Sequence, residues 1–202
     1  MAFQESFMPE LSTDEVSTDD LEEFDFSSLH FYESMRGAPS GDAYELCRKA
    51  LSDCDADINN TVILSSTCDI LREVDFLCRK VGLETSTMCE TKEAYEKLKA
   101  EQTGFAIKDS LDTIRENKKH HFTMKSSGIK LSTIYSYKGW EAETVILFIL
   151  PEQSEYDPSH YQSRPQEQNP QVIYTAITRS TKNLAIINLG NDRYGAFFKN
   201  RI

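Results

Sequence analysis

Two short motifs carry residue types suited to handling phosphates. Residues 136–141 read SYKGWE. Gly139 permits a tight turn, Lys138 brings a cation, and Glu141 brings an acceptor for hydroxyl groups. A loop of this kind can hold a nucleotide or a phosphate backbone. Residues 172–179 read VIYTAITR, an apolar helical pattern that ends on Arg179. An arginine there either complements the negative end of a helix dipole or stabilises charge on a transferring phosphoryl group. Further back, Lys118, Lys119, His120 and His121 precede Lys125 and Lys130. This basic cluster either meets phosphates or lies in a solvated loop. No metal site is expected, because the His pair has no ligand-type residue at the required spacing.

These motifs need elements to place them. The first precedes an apolar run at 143–150 and the second one at 184–188, and both runs read as buried strands. Polar residues at strand ends are how α/β proteins build ligand sites, in the crevice where those ends converge. Earlier in the chain, 29–32 is a short strand, and 42–51 is a helix with Tyr44, Cys47 and Leu51 on one face. The run at 61–65 is a central strand. Thr67 then caps a helix over 68–80 that turns Ile70, Leu71, Val74, Leu77 and Cys78 inward. Gly82 ends that helix, and 83–88 is the next strand. A strand–helix–strand unit of this length is a crossover, which predicts a parallel sheet. Another helix spans 91–100, and 101–130 gives no clear pattern. Residues 152–170 read as a surface loop, Pro170 opens a helix to about 180, and the aromatic residues of 191–202 pack on the sheet.

The formal net charge is −11 over 202 residues. Ten of the 33 acidic residues fall within the first 33 positions, which contain no Lys or Arg. The remainder is near neutral, so its field does not repel nucleic acid. Residues 1–27, rich in Ser, Thr, Asp and Glu, read as a flexible acidic tail, in which Leu21, Phe24 and Phe26 are either solvated or available to a partner. Residues 28–202 form the folded domain. The five cysteines form no CxxC pair and read as buried free thiols of an intracellular, cytoplasmic protein. No apolar run reaches the roughly 20 residues that span a bilayer.

Taken together, TIYSYKGWEAETVIL at 133–147 and VIYTAITRSTKNLAII at 172–187 resemble motifs V and VI of superfamily 1 helicases of the UvrD/Rep type. Their pattern is T-x-H-x-x-K-G-L-E, a strand, then Y-x-A-x-T-R-A and a further strand. The resemblance is specific over 129–189 and looser over 62–80. It implies the C-terminal, second RecA-like motor domain, an α/β parallel sheet flanked by helices in the P-loop NTPase-like class. Arg179 would be the arginine finger and catalytic residue, reaching ATP bound with Mg mainly on a first motor domain. Gly139 and Glu141 would lie beside that ATP. Thr133, Tyr135 and Ser136 would face single-stranded nucleic acid, DNA in preference to RNA, with Lys138 supporting the turn. Tyr174 and Thr178 would place the motif VI helix, unless they serve ordinary packing.

The departures matter equally. Tyr135 stands where the family has His, and Trp140 where it has Leu. The sequence contains no G-x-x-x-x-G-K-[ST] phosphate cradle. It also lacks the N-Y-R motif that precedes this region in the family, and Arg36 in YESMRG does not replace it. The expectation is therefore part of a longer helicase, inactive alone. The alternative is a non-catalytic interaction module that keeps the fold.

Overall fold

The computed structural model describes residues 26–34, 40–151 and 169–199. Strand β1 (Ser28–Glu33) leads to helix α1 (Ser40–Asp53). A 3-10 turn (Ile58–Asn60) precedes β2 (Thr61–Ser65), followed by α2 (Cys68–Lys80), β3 (Thr85–Thr87), α3 (Lys92–Glu101) and α4 (Phe105–His121). Then come β4 (Ile129–Thr133), β5 (Ala142–Ile149), α5 (Pro170–Ile177), β6 (Ser180–Asn188) and α6 (Asp192–Lys199). The six strands form one sheet in the order β1-β6-β5-β2-β4-β3, with every neighbouring pair parallel. This fits the expected α/β, RecA-like class. The crossover from β2 through α2 to β3 is present too, with β4 inserted between the two strands.

Alternation along the strands builds two apolar layers. Val62, Leu64, Val145, Leu147, Ile149, Leu184 and Ile186 meet α5, α6 and the 134–142 segment on one face. Ile63, Ile129, Leu131, Ile146, Phe148, Ala185 and Ile187 meet α1 and α2 on the other. Covering both faces is what parallel strands require, and it explains their nearly unbroken apolar runs. Phe26, expected in the flexible tail, packs against the first layer. Leu21, Phe24 and the rest of residues 1–25 lie outside the described residues, as do Arg36 and most of the expected 152–170 loop.

Local chemistry sets several boundaries. Thr91 caps α3 by accepting from the Ala94 N–H at 3.3 Å. Asn169 caps α5 the same way, with Pro170 at its first position. Gly82, at φ +81°, follows the end of α2 in the left-handed region that glycine tolerates. Among the described residues no helix is long and apolar enough to cross a membrane.

Four expectations need correction. The pattern-poor stretch 101–130 holds the 17-residue α4, and Lys118–His121 form its last turn, where cations suit the helix dipole. That helix buries only Leu111, so its apolar stripe is too thin to read. The strand expected over 83–88 is three residues long. The helix expected to run to 180 stops at Ile177, and Ser180 already pairs with Ala142. Finally, only Cys47, Cys54 and Cys78 are free and buried, because Cys68 and Cys89 form a disulfide.

Lys130, grouped in the sequence with the basic cluster, is instead fully buried in β4. Its ammonium donates to the carbonyls of Asn59 (2.5 Å), Ser126 (2.6 Å) and Gly128 (2.9 Å). Burial pushes its pKa down, against the opposing pull of Asp57. The three acceptors tie the turn before β2 to the turn before β4. Lys130→Met leaves all three unserved and should cost about 3 kcal/mol, read as a lowered midpoint in urea denaturation.

Candidate functional site

Thr133, Tyr135, Ser136, Lys138, Gly139 and Glu141 lie on one segment that crosses a face of the sheet. It leaves the carboxyl end of β4, where Thr133 pairs with Ser65, and enters β5 at its amino end, where Thr144 pairs with Thr61. Those levels are four residues of β2 apart, about 13 Å. Ile134 and Tyr137 fix the segment to the core, Tyr137 being fully buried. The Ile134 N–H donates to the Ser65 carbonyl at 2.9 Å and the Tyr137 N–H to Thr133 at 3.0 Å. The phenol reaches the Met124 sulfur at 3.3 Å, and Trp140 meets Phe122 edge-to-face. Between these anchors Tyr135, Lys138, Gly139 and Glu141 are exposed. Gly139, at φ +91°, makes the final turn. Lys138, expected to support this turn, is exposed on it, and Tyr137 anchors it from the core, a role the sequence reading missed.

At the upper end, the Thr133 hydroxyl donates to Ser136 Oγ (3.0 Å) and accepts from the Ser136 N–H (3.3 Å). Both side chains line a cleft of about 450 Å³ with Cys68, Cys89, Asp112, Arg115, Glu116 and Lys119. Arg115 and Lys119 stand one turn apart on α4, so their joint presence here was invisible while α4 went unread.

At the lower end, Arg179 sits in the turn between α5 and β6. Its carbonyl accepts from the Ala142 N–H at 3.0 Å, which sets Glu141 and Arg179 on one edge. The guanidinium is half-buried and donates to the Thr175 carbonyl (3.2 Å) and the Thr178 hydroxyl (3.1 Å). Among the described residues no carboxylate pairs with it. Burial pushes the Tyr137 phenol far above its ordinary value, with Arg179 opposing the rise and Glu141 adding to it. Tyr174 and Thr178 are joined one turn apart, the Thr178 N–H donating to the Tyr174 carbonyl at 3.0 Å, and Tyr174 packs against the core.

The expected residues therefore form two groups in space. Thr133 and Ser136 mark the carboxyl edge of the sheet. Gly139, Glu141, Thr178 and Arg179 mark the amino edge, with Tyr135 exposed on the segment between them. The amino edge thus presents the Arg179 guanidinium, the Glu141 carboxylate and the Gly139 turn together.

No protein-family model matches the sequence, and neither does any curated protein. Among solved structures, the chain is similar to the C-terminal domain of a possible DNA helicase from Lactobacillus plantarum WCFS1. That likeness has 11% identity over 94% of this chain and 83% of the other, with a TM-score of 0.49. It is also similar to the C-terminal domain of a Dbp5 variant from S. cerevisiae, bound to a Gle1 variant and IP6. There the identity is 12% over 86% and 83% of the two chains, with a TM-score of 0.41. With TM-scores below 0.5, these likenesses leave function to the chain's own residues.

Beneath the cleft lies a buried charge cluster. The Glu90 carboxylate, fully buried, receives the Arg115 guanidinium at 2.6 and 2.9 Å and also pairs with Arg72. Arg72 in turn pairs with Asp69 and lies over the Tyr95 ring. Burial alone would raise the Glu90 pKa, but the Arg115 hydrogen bonds and the two guanidinium charges outweigh it and hold the carboxyl low. A carboxyl depressed by folding contributes stability above its unfolded pKa, about 4.3. That contribution is lost as pH falls through the lower folded value. Glu90→Gln should cost about 3 kcal/mol at neutral pH by leaving the buried Arg72 guanidinium and the partly exposed Arg115 guanidinium under-compensated. It should also flatten the fall in Tm on acidification below about pH 4.3, measured by circular dichroism melts.

Proposed function

We propose that this chain is the C-terminal motor half of an ATP-dependent helicase of the UvrD/Rep type. In this reading it works against a first motor half that holds ATP and Mg. ATP supplies the phosphoryl group whose transfer drives the cycle. Arg179 reaches the developing negative charge as an arginine finger. Glu141 accepts from hydroxyls of the nucleotide, and Gly139 keeps the backbone close to it. Thr133 and Ser136 meet the phosphates of single-stranded nucleic acid, which we take to be DNA, while Tyr135 offers a ring on which a base can stack.

The single observation that supports this most is the backbone bond from Ala142 to Arg179. It joins the ends of two motifs that are distant in sequence, so the cation and the carboxylate share one edge. The anchored 134–141 segment then links that edge to the Thr133 end, giving closure on ATP a route to the nucleic acid. Arg179 suits a finger because its carbonyl is held by Ala142 at the start of β5 and its guanidinium by Thr175 and Thr178 of its own turn.

The test supplies a first motor half of the same helicase type and measures DNA-stimulated ATP hydrolysis. Arg179→Ala should reduce turnover about 10³-fold with little change in Tm. Turnover that survives this substitution rejects the finger. ATP hydrolysis by the present chain alone rejects the two-half reading. Retained partner binding with no Arg179-dependent turnover identifies a non-catalytic interaction module instead.

A further inference from the structure

The disulfide occupies a position that the other cysteines do not share. Cys68 is the first residue of α2, and its N-cap, Thr67, makes no side-chain capping bond. Cys89 follows β3, with its N–H donating to the Thr87 hydroxyl at 3.0 Å, and it immediately precedes Glu90. Both sulfur-bearing residues line the cleft that Thr133, Ser136, Arg115 and Lys119 also line. Cys68 and Cys89 are themselves buried, but only they reach the cleft; burial pushes the Cys47, Cys54 and Cys78 thiols up, which suppresses their reactivity. In a reducing compartment a lone disulfide serves redox sensing more than bulk stabilisation.

We propose that Cys68–Cys89 is a redox-responsive site that controls the cleft, the oxidised form binding a phosphate backbone more tightly than the reduced form. This rests on the reading of Thr133 and Ser136 as nucleic-acid contacts. A dithiol reductant opens the bond in two steps. Its first thiolate attacks Cys89 Sγ, and the S–S electron pair leaves on Cys68 Sγ, where the N-terminus of a 13-residue helix stabilises a thiolate. The second thiol of the reductant then resolves the mixed disulfide, releasing Cys89 as a thiol. The protein gains two electrons and one proton, which Cys89 keeps as a thiol while Cys68 stays a thiolate; the reductant's other proton passes to solvent and the reductant leaves as its own disulfide.

Two effects of reduction act in the same direction. Oxidised, the bond fastens the start of α2 to the Cys89–Glu90 backbone. Glu90 holds Arg115, so the guanidinium on the cleft wall is positioned before a ligand arrives. Reduced, that link is gone, and a Cys68 thiolate places negative charge at the electropositive helix end that a phosphate would approach.

The experiment uses the full chain, prepared oxidised or treated with dithiothreitol, with the state of each cysteine read by thiol alkylation and mass spectrometry. Binding of a fluorescent single-stranded DNA oligonucleotide is then followed by anisotropy at fixed salt. Reduction should label only Cys68 and Cys89 in the folded protein and weaken binding about five-fold or more. Cys89→Ser should bind like the reduced protein and ignore the reductant. Cys68→Ser should also ignore it and bind between the two forms, because it removes the thiolate. A disulfide that resists the dithiol while the protein stays folded overturns the proposal. Equal binding by oxidised and reduced chains overturns it and leaves the nucleic-acid reading intact, whereas absence of binding in both forms overturns the two together.

Discussion

The fold depends on how β4 reaches β5. Both run in the same direction with β2 between them, so the chain must return the full height of the sheet. Parallel strands usually do this with a dozen or more residues and a helix. Here residues 134–141 suffice. The path is about 13 Å down and roughly 10 Å across, close to 16 Å, against a reach of about 26 Å for eight extended residues. That slack allows turns, and the turns bury Ile134 and Tyr137 while exposing Tyr135, Lys138 and Glu141. The strand order therefore dictates that one short segment shows polar side chains at both edges of the sheet.

That geometry divides the chemistry. Sheet faces covered by helices leave no room for unpaired charge, and the interior charges that do exist are fully committed. Lys130 is spent on three carbonyls, and Glu90 on two guanidiniums. Polar groups able to act on a ligand remain at the rims. The carboxyl rim carries the cleft, with hydroxyls, the cations Arg115 and Lys119 and the carboxylates Asp112 and Glu116 around a disulfide. The amino rim carries Arg179 and Glu141, placed by the backbone bond between Ala142 and Arg179.

Much of this was legible in the residues. The central strands announce themselves as β-branched apolar runs, since burial on both faces demands it. Pro170 and Gly82 mark helix ends by local chemistry that tertiary structure leaves alone, whereas Thr67 takes the expected N-cap position of α2 without a side-chain capping bond. What escaped was long-range. Helix α4 rests at the sheet's β3 side with little apolar surface, so its sequence resembles a charged loop. Lys130 looks like its cationic neighbours because nothing local says that three carbonyls converge on it. Cys68 and Cys89 are 21 residues apart, and only the packing of α2 beside the end of β3 brings them into bonding distance.

The same distinction explains why the two motifs read alike in the sequence and occupy two rims in space. A motif before a strand and a motif before the next strand sound equivalent, and for Gly139–Glu141 and Arg179 they are. Thr133 differs because it ends β4 while Glu141 precedes β5, so nine residues of one motif span opposite rims. A motif built this way is a strut as well as a binding loop. Tyr137 is its fixed point, fully buried between a rim that carries a cation and a rim that carries hydroxyls. Any force applied to Glu141 or Arg179 must either move that ring within a close-packed core or pass around it to Thr133. Close packing makes the first alternative costly, so Tyr137 holds the two rims at a set separation.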